Sequence, residues 1–299
     1  MFSGLANAGK TSILRVLDND LEKIPKLTPT LGVEYKNYNV LGLDVTAWDL
    51  GGQTKYRTRY LTESEKYFEG TSVLFYVIDF QAEDLYEEVL NYLKGIVTAF
   101  KKLHLDGVFI PVLFHKYDPH IYAKKEEVEQ KISVLEARVE KVIGKIPHAY
   151  YRTSMYESYT VFKAFSEGLL HRFTGGQLIL QKIGSIATEF ESPAAIMLTM
   201  GGYIYGAWHS KDVQLTDLVK FSRTVQDFSR LISEKGNPPF IIFPLTEVQD
   251  IATITFPHGN ELIAYCMMVR KMKDYRQLEE GLTQKQEELQ KVLQVIGEE

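Results

Sequence analysis

The chain has 299 residues, enough for about two domains at ~150 residues each. Hydrophobic residues make up 45%, charged 24% and aromatic 12%, which fits a packed globular protein and excludes a disordered, collagen-like or disulfide-scaffolded chain. A net charge of −5 provides no basic field for nucleic acid, and the single cysteine, Cys266, can form neither an intrachain disulfide nor a zinc cluster, so it suits a reducing compartment.

The first 175 residues alternate apolar strands with amphipathic helices. Strands are expected at 33–41, 43–50, 71–80, 108–116 and 148–154, and helices at 11–24, 83–104, 124–146 and 159–173. Helices between buried strands predict an α/β fold with a mostly parallel sheet, and Phe75, Tyr76, Val77 and Ile78 read as its core. Gly42 joins the first two of these strands so tightly that they should form an antiparallel hairpin. Only Met1-Phe2-Ser3 precede the first glycine loop, so the strand before it is expected short, as after a late start or a trimmed end.

Gly175-Gly176 breaks this pattern, and a domain boundary is expected there, giving 1–175 and 176–299. A helix at 177–190 presents Leu180, Ile183, Ala187 and Phe190 on one face and stops at Pro193. Strands at 194–200 and 203–209 flank a Gly201-Gly202 turn. A helix at 216–234 has Thr216 as its expected cap. Strands at 240–245, 250–256 and 261–269 follow, with a turn at His258-Gly259-Asn260, and then a helix at 274–296. The order α-β-β-α-β-β-β-α predicts a smaller α/β domain with an antiparallel five-stranded sheet. Along the last helix Leu278, Leu282, Lys285, Leu289, Val292 and Ile296 form a stripe that packs on its own domain or forms a coiled-coil seam.

Gly4-Leu5-Ala6-Asn7-Ala8-Gly9-Lys10-Thr11 matches G-x-x-x-x-G-K-[ST]. Such a loop turns backbone N–H groups toward phosphate oxygens, and the helix that follows adds its positive end. Asn7, Ala8, Gly9, Lys10, Thr11 and Ser12 are therefore candidate phosphate-binding residues. Lys10 reaches the β- and γ-phosphates, and the Thr11 hydroxyl is a candidate Mg²⁺ ligand. Thr30 offers a second hydroxyl for Mg²⁺ and an N–H for a γ-phosphate. Trp48-Asp49-Leu50-Gly51-Gly52-Gln53 ends a strand, where Asp49 holds Mg²⁺ through water, Gly52 gives an N–H to the γ-phosphate and Gln53 orients an attacking water.

His115-Lys116-Tyr117-Asp118 ends a later strand. A carboxylate at 118 accepts hydrogen bonds from guanine N1 and N2, which adenine cannot match, while the Lys116 stem lies along the base. Ser154 and Met155, after the next strand, place backbone N–H groups for guanine O6. Arg57 and Arg59 read as surface contacts for partners rather than as a cis arginine finger. The seven histidines are scattered with none paired at i,i+4, and Cys266 sits in an apolar strand as a buried structural thiol.

These residues resemble those of the Ras-like small GTPases, and specifically the Arf and Rag/Gtr branches. The His in His115-Lys116-Tyr117-Asp118 and the run Tyr151-Arg152-Thr153-Ser154-Met155-Tyr156-Glu157 into Phe162-Lys163-Ala164-Phe165-Ser166 are similar to Rag/Gtr sequences. The second domain resembles a roadblock/longin-type module by element order alone. The resemblance implies a P-loop G domain with a mostly parallel six-stranded sheet, GTP and GDP as ligands with Mg²⁺, slow hydrolysis accelerated by a GAP, and an exchange factor as a further partner. It further implies a homo- or heterodimer through residues 176–299 and roadblock-type scaffold partners in nutrient or TOR-type signalling. His115 in place of Asn loses that side chain's bridge to the P-loop. Competing readings are a scaffold that binds GTP without hydrolysing it, and an ATP-dependent kinase or ATPase. Phe2 excludes N-myristoylation, the last residues form no prenylation box, and no apolar run approaches the ~20 residues of a membrane helix. The chain also lacks a signal-peptide pattern. A cytoplasmic protein is expected, with no lipid anchor of its own, reaching membranes through a scaffold.

Overall fold

The computed structural model describes residues 1–18, 30–40, 43–105, 107–118, 125–171, 175–200, 204–213, 215–234, 238–259 and 261–297. The expected turns at Gly42 and Gly201-Gly202, the Asn260 end of the last turn and residues 19–24 of the expected first helix lie outside them. The chain divides into two compact units, Met1–Tyr38 with Val45–Gly168, and Asn39–Asp44 with Leu169–Glu299.

The first unit is built on a six-stranded sheet in the order β2-β3-β1-β4-β5-β6, of which the last two residues of β2 and the first two of β3 count with the second unit. Its strands are β1 (Phe2–Ser3), β2 (Val33–Val40), β3 (Leu43–Leu50), β4 (Phe75–Asp79), β5 (Ile110–His115) and β6 (His148–Thr153). β1 pairs parallel with β3 and β4, β4 with β5, and β5 with β6. β2 and β3 are neighbours separated by two residues, a connection too short for a parallel pair.

Successive residues of β4 face opposite ways. Phe75 stacks on Phe2 at 4.7 Å and Phe165 at 5.4 Å, while Tyr76 and Ile78 join Leu93, Ile96, Phe100 and Phe114 in the cluster on the other face. Covering both faces is what makes these strands read as unbroken apolar runs. The helices are α1 (Lys10–Leu17), α2 (Thr54–Thr62), α3 (Ser64–Phe68), α4 (Tyr86–Lys102), α5 (Lys125–Ile143) and α6 (Ser158–Leu170). α4 carries Glu87 and Glu88 in its first turn and Lys101 and Lys102 in its last, matching the helix dipole at both ends.

The second unit has a fully antiparallel five-stranded sheet in the order β8-β7-β11-β10-β9. Its strands are β7 (Ala194–Thr199), β8 (Ile204–His209), β9 (Phe240–Pro244), β10 (Gln249–His258) and β11 (Glu261–Arg270). The helices are α7 (Gly176–Glu189), α8 (Leu215–Glu234) and α9 (Arg276–Gly297). Thr216, expected as a cap, lies one residue inside α8. Tyr265 sends its hydroxyl to the Ile183 carbonyl of α7 at 3.1 Å, whereas the next residue, Cys266, lies beside Val225 and Phe228 of α8. The two helices therefore cover opposite faces of the sheet. α9 packs on α7 and β10 through the buried Leu282, Leu289 and Leu293. Cys266 is buried, accepts a hydrogen bond from Thr253 at 3.3 Å, and is pushed by burial up to about 12, which suits the inert structural thiol expected of it.

Candidate nucleotide-binding site

The site is assembled where β1, β3, β4, β5 and β6 end, all within the first unit. After β1 the chain forms a tight loop with Asn7 at φ 61° and Gly9 at φ 96°, then enters α1 at Lys10. Gly9 is the helix N-cap, and its left-handed backbone suits glycine. Lys10 is buried, and its ammonium curls back to donate to the carbonyls of Leu5 (2.8 Å) and Gly4 (3.1 Å). Desolvation lowers its pKa to about 8; nearby Asp49 opposes that shift and the Arg57 charge adds to it.

Thr11, Thr30 and Asp49 meet beside this loop. Thr11 donates to Asp49 Oδ2 at 2.6 Å. Thr30 shares its proton between Thr11 Oγ1 (2.9 Å) and Asp49 Oδ2 (3.3 Å). Asp49 is 1% exposed, and its Oδ1 is buried with no hydrogen-bond partner among the described residues. Two hydroxyls and a carboxylate with an unsatisfied oxygen form a hard, all-oxygen donor set that fits a magnesium ion.

The turn after β3 presses against the glycine loop. A Cβ on Gly52 would lie 2.3–2.4 Å from the backbone of Leu5 and Ala6, so only glycine allows the approach. Gln53 caps α2, and its side chain makes no capping hydrogen bond. Ala6, Asn7, Gly9, Lys10, Thr11, Ser12, Thr30, Gly52, Gln53 and Lys116 line one cleft of about 250 Å³. Ala8 is buried within the loop, where its amide points to the Leu5 carbonyl at 3.4 Å.

The other half of the site lies at the ends of β5 and β6. His115 is 1% exposed, its Nδ1 is 3.0 Å from Thr153 Oγ1, and its ring packs on Gly9. A ring contact thus stands where an Asn amide bridge to the P-loop was expected to be missing. Lys116 sits at φ 63° and its ammonium is 2.6 Å from Asp79 Oδ2. Asp118 accepts from Ser154 Oγ at Oδ1 (2.6 Å) and from Gln81 Nε2 at Oδ2 (3.2 Å). The Ser154 amide is taken by Thr160 Oγ1 at 3.0 Å, which leaves the half-buried Met155 as the next backbone position in the loop. Asp118, Ser154 and Met155 do not line the phosphate cleft; His115 and Lys116 connect them to it.

Three residues escape a sequence reading. Arg57, expected at the surface as a partner contact, is 8% exposed, donates to Thr54 Oγ1 at 3.1 Å and to Glu88, and lies over the Tyr92 ring. Its long stem buries as apolar surface does, which a charge count cannot register. Arg59 is exposed and pairs with Glu63 at 3.0 Å. Tyr60 on α2 and Gln81 after β4 belong to no motif; Tyr60 reaches the Gly32 carbonyl two residues after Thr30, and Gln81 reaches Asp118.

Residues 1–225 of the 299 match the family described as the Gtr1/RagA G protein conserved region. The ADP-ribosylation factor-like protein alp41 of Schizosaccharomyces pombe is 34% identical over 131 residues, 44% of this chain and 66% of that protein. The ADP-ribosylation factor-like protein 3 of Caenorhabditis elegans is 32% identical over 134 residues, 44% of this chain and 67% of that protein. The chain thus spans about two thirds of the length of these relatives. A solved structure of the Arl6 (BBS3) small GTPase from Trypanosoma brucei, with a bound nucleotide analogue, aligns at TM-score 0.45 and 17% identity over 57% of this chain and 94% of that one. With three quarters of its length inside the matched region, the chain belongs to the Gtr1/RagA family of small G proteins.

Proposed function

We propose that this protein is a GTP-operated switch that hydrolyses GTP slowly on its own. What supports the reading is a cleft lined by the glycine loop, the Thr11 and Thr30 hydroxyls and Lys116, with Asp49 hydrogen-bonded behind the two hydroxyls and Asp118 two residues beyond Lys116. Lys10 leaves its loop carbonyls to meet the β- and γ-phosphates. Thr11 and Thr30, with Asp49 behind them, would hold Mg²⁺, which when bound supplies charge neutralisation on the phosphate oxygens. The Gly52 amide faces the γ-phosphate, and Gln53 orients a water in line with it. Hydrolysis of this kind depends on positioning and electrostatics, and Arg57 is engaged by Glu88 and Thr54 rather than free to serve as a finger. A partner's arginine should therefore speed the reaction by ~10³–10⁵. Residues 26–33, of which 30–33 are described, and residues 51–68 respond to loss of the γ-phosphate.

The second unit serves dimerisation, homo- or heteromeric, as a roadblock/longin-type module. β8 and β9 are the edges of its antiparallel sheet, and an edge strand is a template for pairing. Among the described residues no helix is long and apolar enough to cross a membrane. In nutrient or TOR-type signalling the proposed route to a membrane is a roadblock-type scaffold partner.

Fluorescent GTP and ATP titrations with and without Mg²⁺ test the switch. Guanine preference that Asp118→Asn abolishes is the expected result, and equal affinity for the two nucleotides defeats it. Single-turnover phosphate release by wild type and Gln53→Leu then separates a GTPase from a scaffold that only holds GTP. Light scattering on the full chain reads the oligomeric state, and a monomer at micromolar concentration rejects self-dimerisation.

A further inference from the structure

Gln81 is tied to Asp79, Lys116 and Asp118 at the guanine-facing tip, yet no P-loop or guanine motif includes it. It follows β4, whose last residue, Asp79, pairs in register with His115 at the end of β5. The Gln81 amide donates to Asp79 Oδ1 at 3.0 Å, which fixes the start of its side chain. Its Nε2 then donates to the Lys116 carbonyl at 2.8 Å and to Asp118 Oδ2 at 3.2 Å. Lys116 closes the circuit through its ammonium on Asp79 Oδ2 at 2.6 Å. The Lys116 backbone lies at φ 63°, a left-handed conformation that a lysine holds only when its surroundings impose it, and its carbonyl is the atom Gln81 secures.

We infer that Gln81 is a positioning residue for guanine readout, acting by pinning the Asp118 carboxylate and the Lys116 backbone; this deepens the function proposed above and rests on it. Asp118 is held at both oxygens, Oδ1 by Ser154 and Oδ2 by Gln81. A carboxylate has about four acceptor positions. One on each oxygen is used by Gln81 and Ser154, which leaves one on each oxygen for the N1–H and N2–H donors of guanine. Without Gln81 one oxygen is released, the plane turns about Ser154, and the paired donors are no longer met together.

The test measures GDP and inosine diphosphate affinities of the full chain. Inosine keeps N1–H and lacks the N2 amine, so their ratio reports the paired contact. Gln81→Ala should weaken GDP about tenfold, the scale of a hydrogen bond to a charged group, and lower the GDP-to-inosine ratio. Gln81→Glu, equal in length but setting a second carboxylate against Asp118, should weaken GDP at least as much. In an Asp118→Ala chain the Gln81→Ala change should no longer alter the GDP-to-inosine ratio and should cost less than in wild type, because only the Lys116 carbonyl contact is left to lose. Equal losses for the two nucleotides, unaltered affinities, or a full loss persisting in Asp118→Ala would each overturn the inference. If wild type itself shows no guanine preference, the proposed function falls and takes this inference with it. If wild type prefers guanine and the Gln81 variants match it, only this inference falls.

Discussion

The His115 ring fills the space a side chain at Gly9 would need: a Cβ on Gly9 would lie 2.3 Å from His115 Cδ2 and 2.7 Å from Nε2. The phosphate loop is thereby supported from β5 by a rigid ring. Gly9→Ala meets both this clash and the φ of 96°, with strain of about 1–3 kcal/mol from the backbone alone. It is expected to lower the melting temperature and abolish nucleotide binding. Adding His115→Ala should recover part of the stability by opening the space, while the backbone strain remains. Melting curves of the two variants decide this, and no recovery in the double variant would show that the ring contact is not the obstacle.

The same burial makes His115 a source of acid sensitivity. Desolvation lowers its pKa from 6.5 to about 4, with Lys116 adding to the shift and Asp118 and Asp79 opposing it. The unfolded chain takes up the proton first as pH falls. Stability from this residue is therefore complete above pH 6.5 and is lost progressively down to pH 4. Between pH 7 and 5 the loss is roughly 2 kcal/mol. Denaturant unfolding at both pH values should show a smaller drop for His115→Asn than for wild type, and identical drops would remove His115 from the account.

Most of the fold is legible because its elements obey simple periods. β4 and β5 read as buried from unbroken apolar runs, and α4 from the spacing of Val89, Leu93, Ile96 and Phe100. α2 is not legible for a physical reason. Its buried residues are Arg57 and Tyr60, so Thr54–Thr62 shows no apolar stripe. In α9 the buried positions are Leu282, Leu289 and Leu293, while Val292 of the expected stripe is half-buried, a one-residue rotation set by packing on α7 and β10. The site divides the same way. Lys10, Thr11, Asp49 and Asp118 stand at motif spacings that a sequence shows directly. Gln81 and Tyr60 act through hydrogen bonds that exist only once separate strands and loops are brought together.

Lys10 sets a pH dependence for nucleotide binding. Its pKa of about 8 in the free protein rises when phosphates replace the carbonyls around it. Binding is therefore at full strength below pH 8, where both forms are protonated. It weakens as pH rises through 8, because the free form has then lost the proton that the complex needs. GDP titrations from pH 6.5 to 9.5 should show this decline, and an affinity flat across pH 8 would mean that Lys10 keeps its proton in the free protein.

In the proposed switch, Tyr60 links the two segments that would sense the γ-phosphate. Its hydroxyl donates to the Gly32 carbonyl at 2.7 Å, and the Gly51 amide donates to the same oxygen at 2.8 Å. Gly32 lies two residues after Thr30, and Gly51 two after Asp49, so the shared carbonyl couples the cluster at Thr11, Thr30 and Asp49 to α2. Tyr60→Phe keeps the ring in place against Tyr67, 4.8 Å away, and removes only the donor. Gly32 retains the Gly51 bond, so global stability should fall by no more than about 1 kcal/mol. The larger effect belongs to the triphosphate state, in which Thr30 must be held. Affinity for a non-hydrolysable GTP analogue is expected to drop several-fold while GDP affinity stays unchanged, because one lost hydrogen bond is charged to one state only. Isothermal titration of both nucleotides against wild type and Tyr60→Phe measures the split, and equal losses for the two would make Tyr60 a packing residue with no part in the switch.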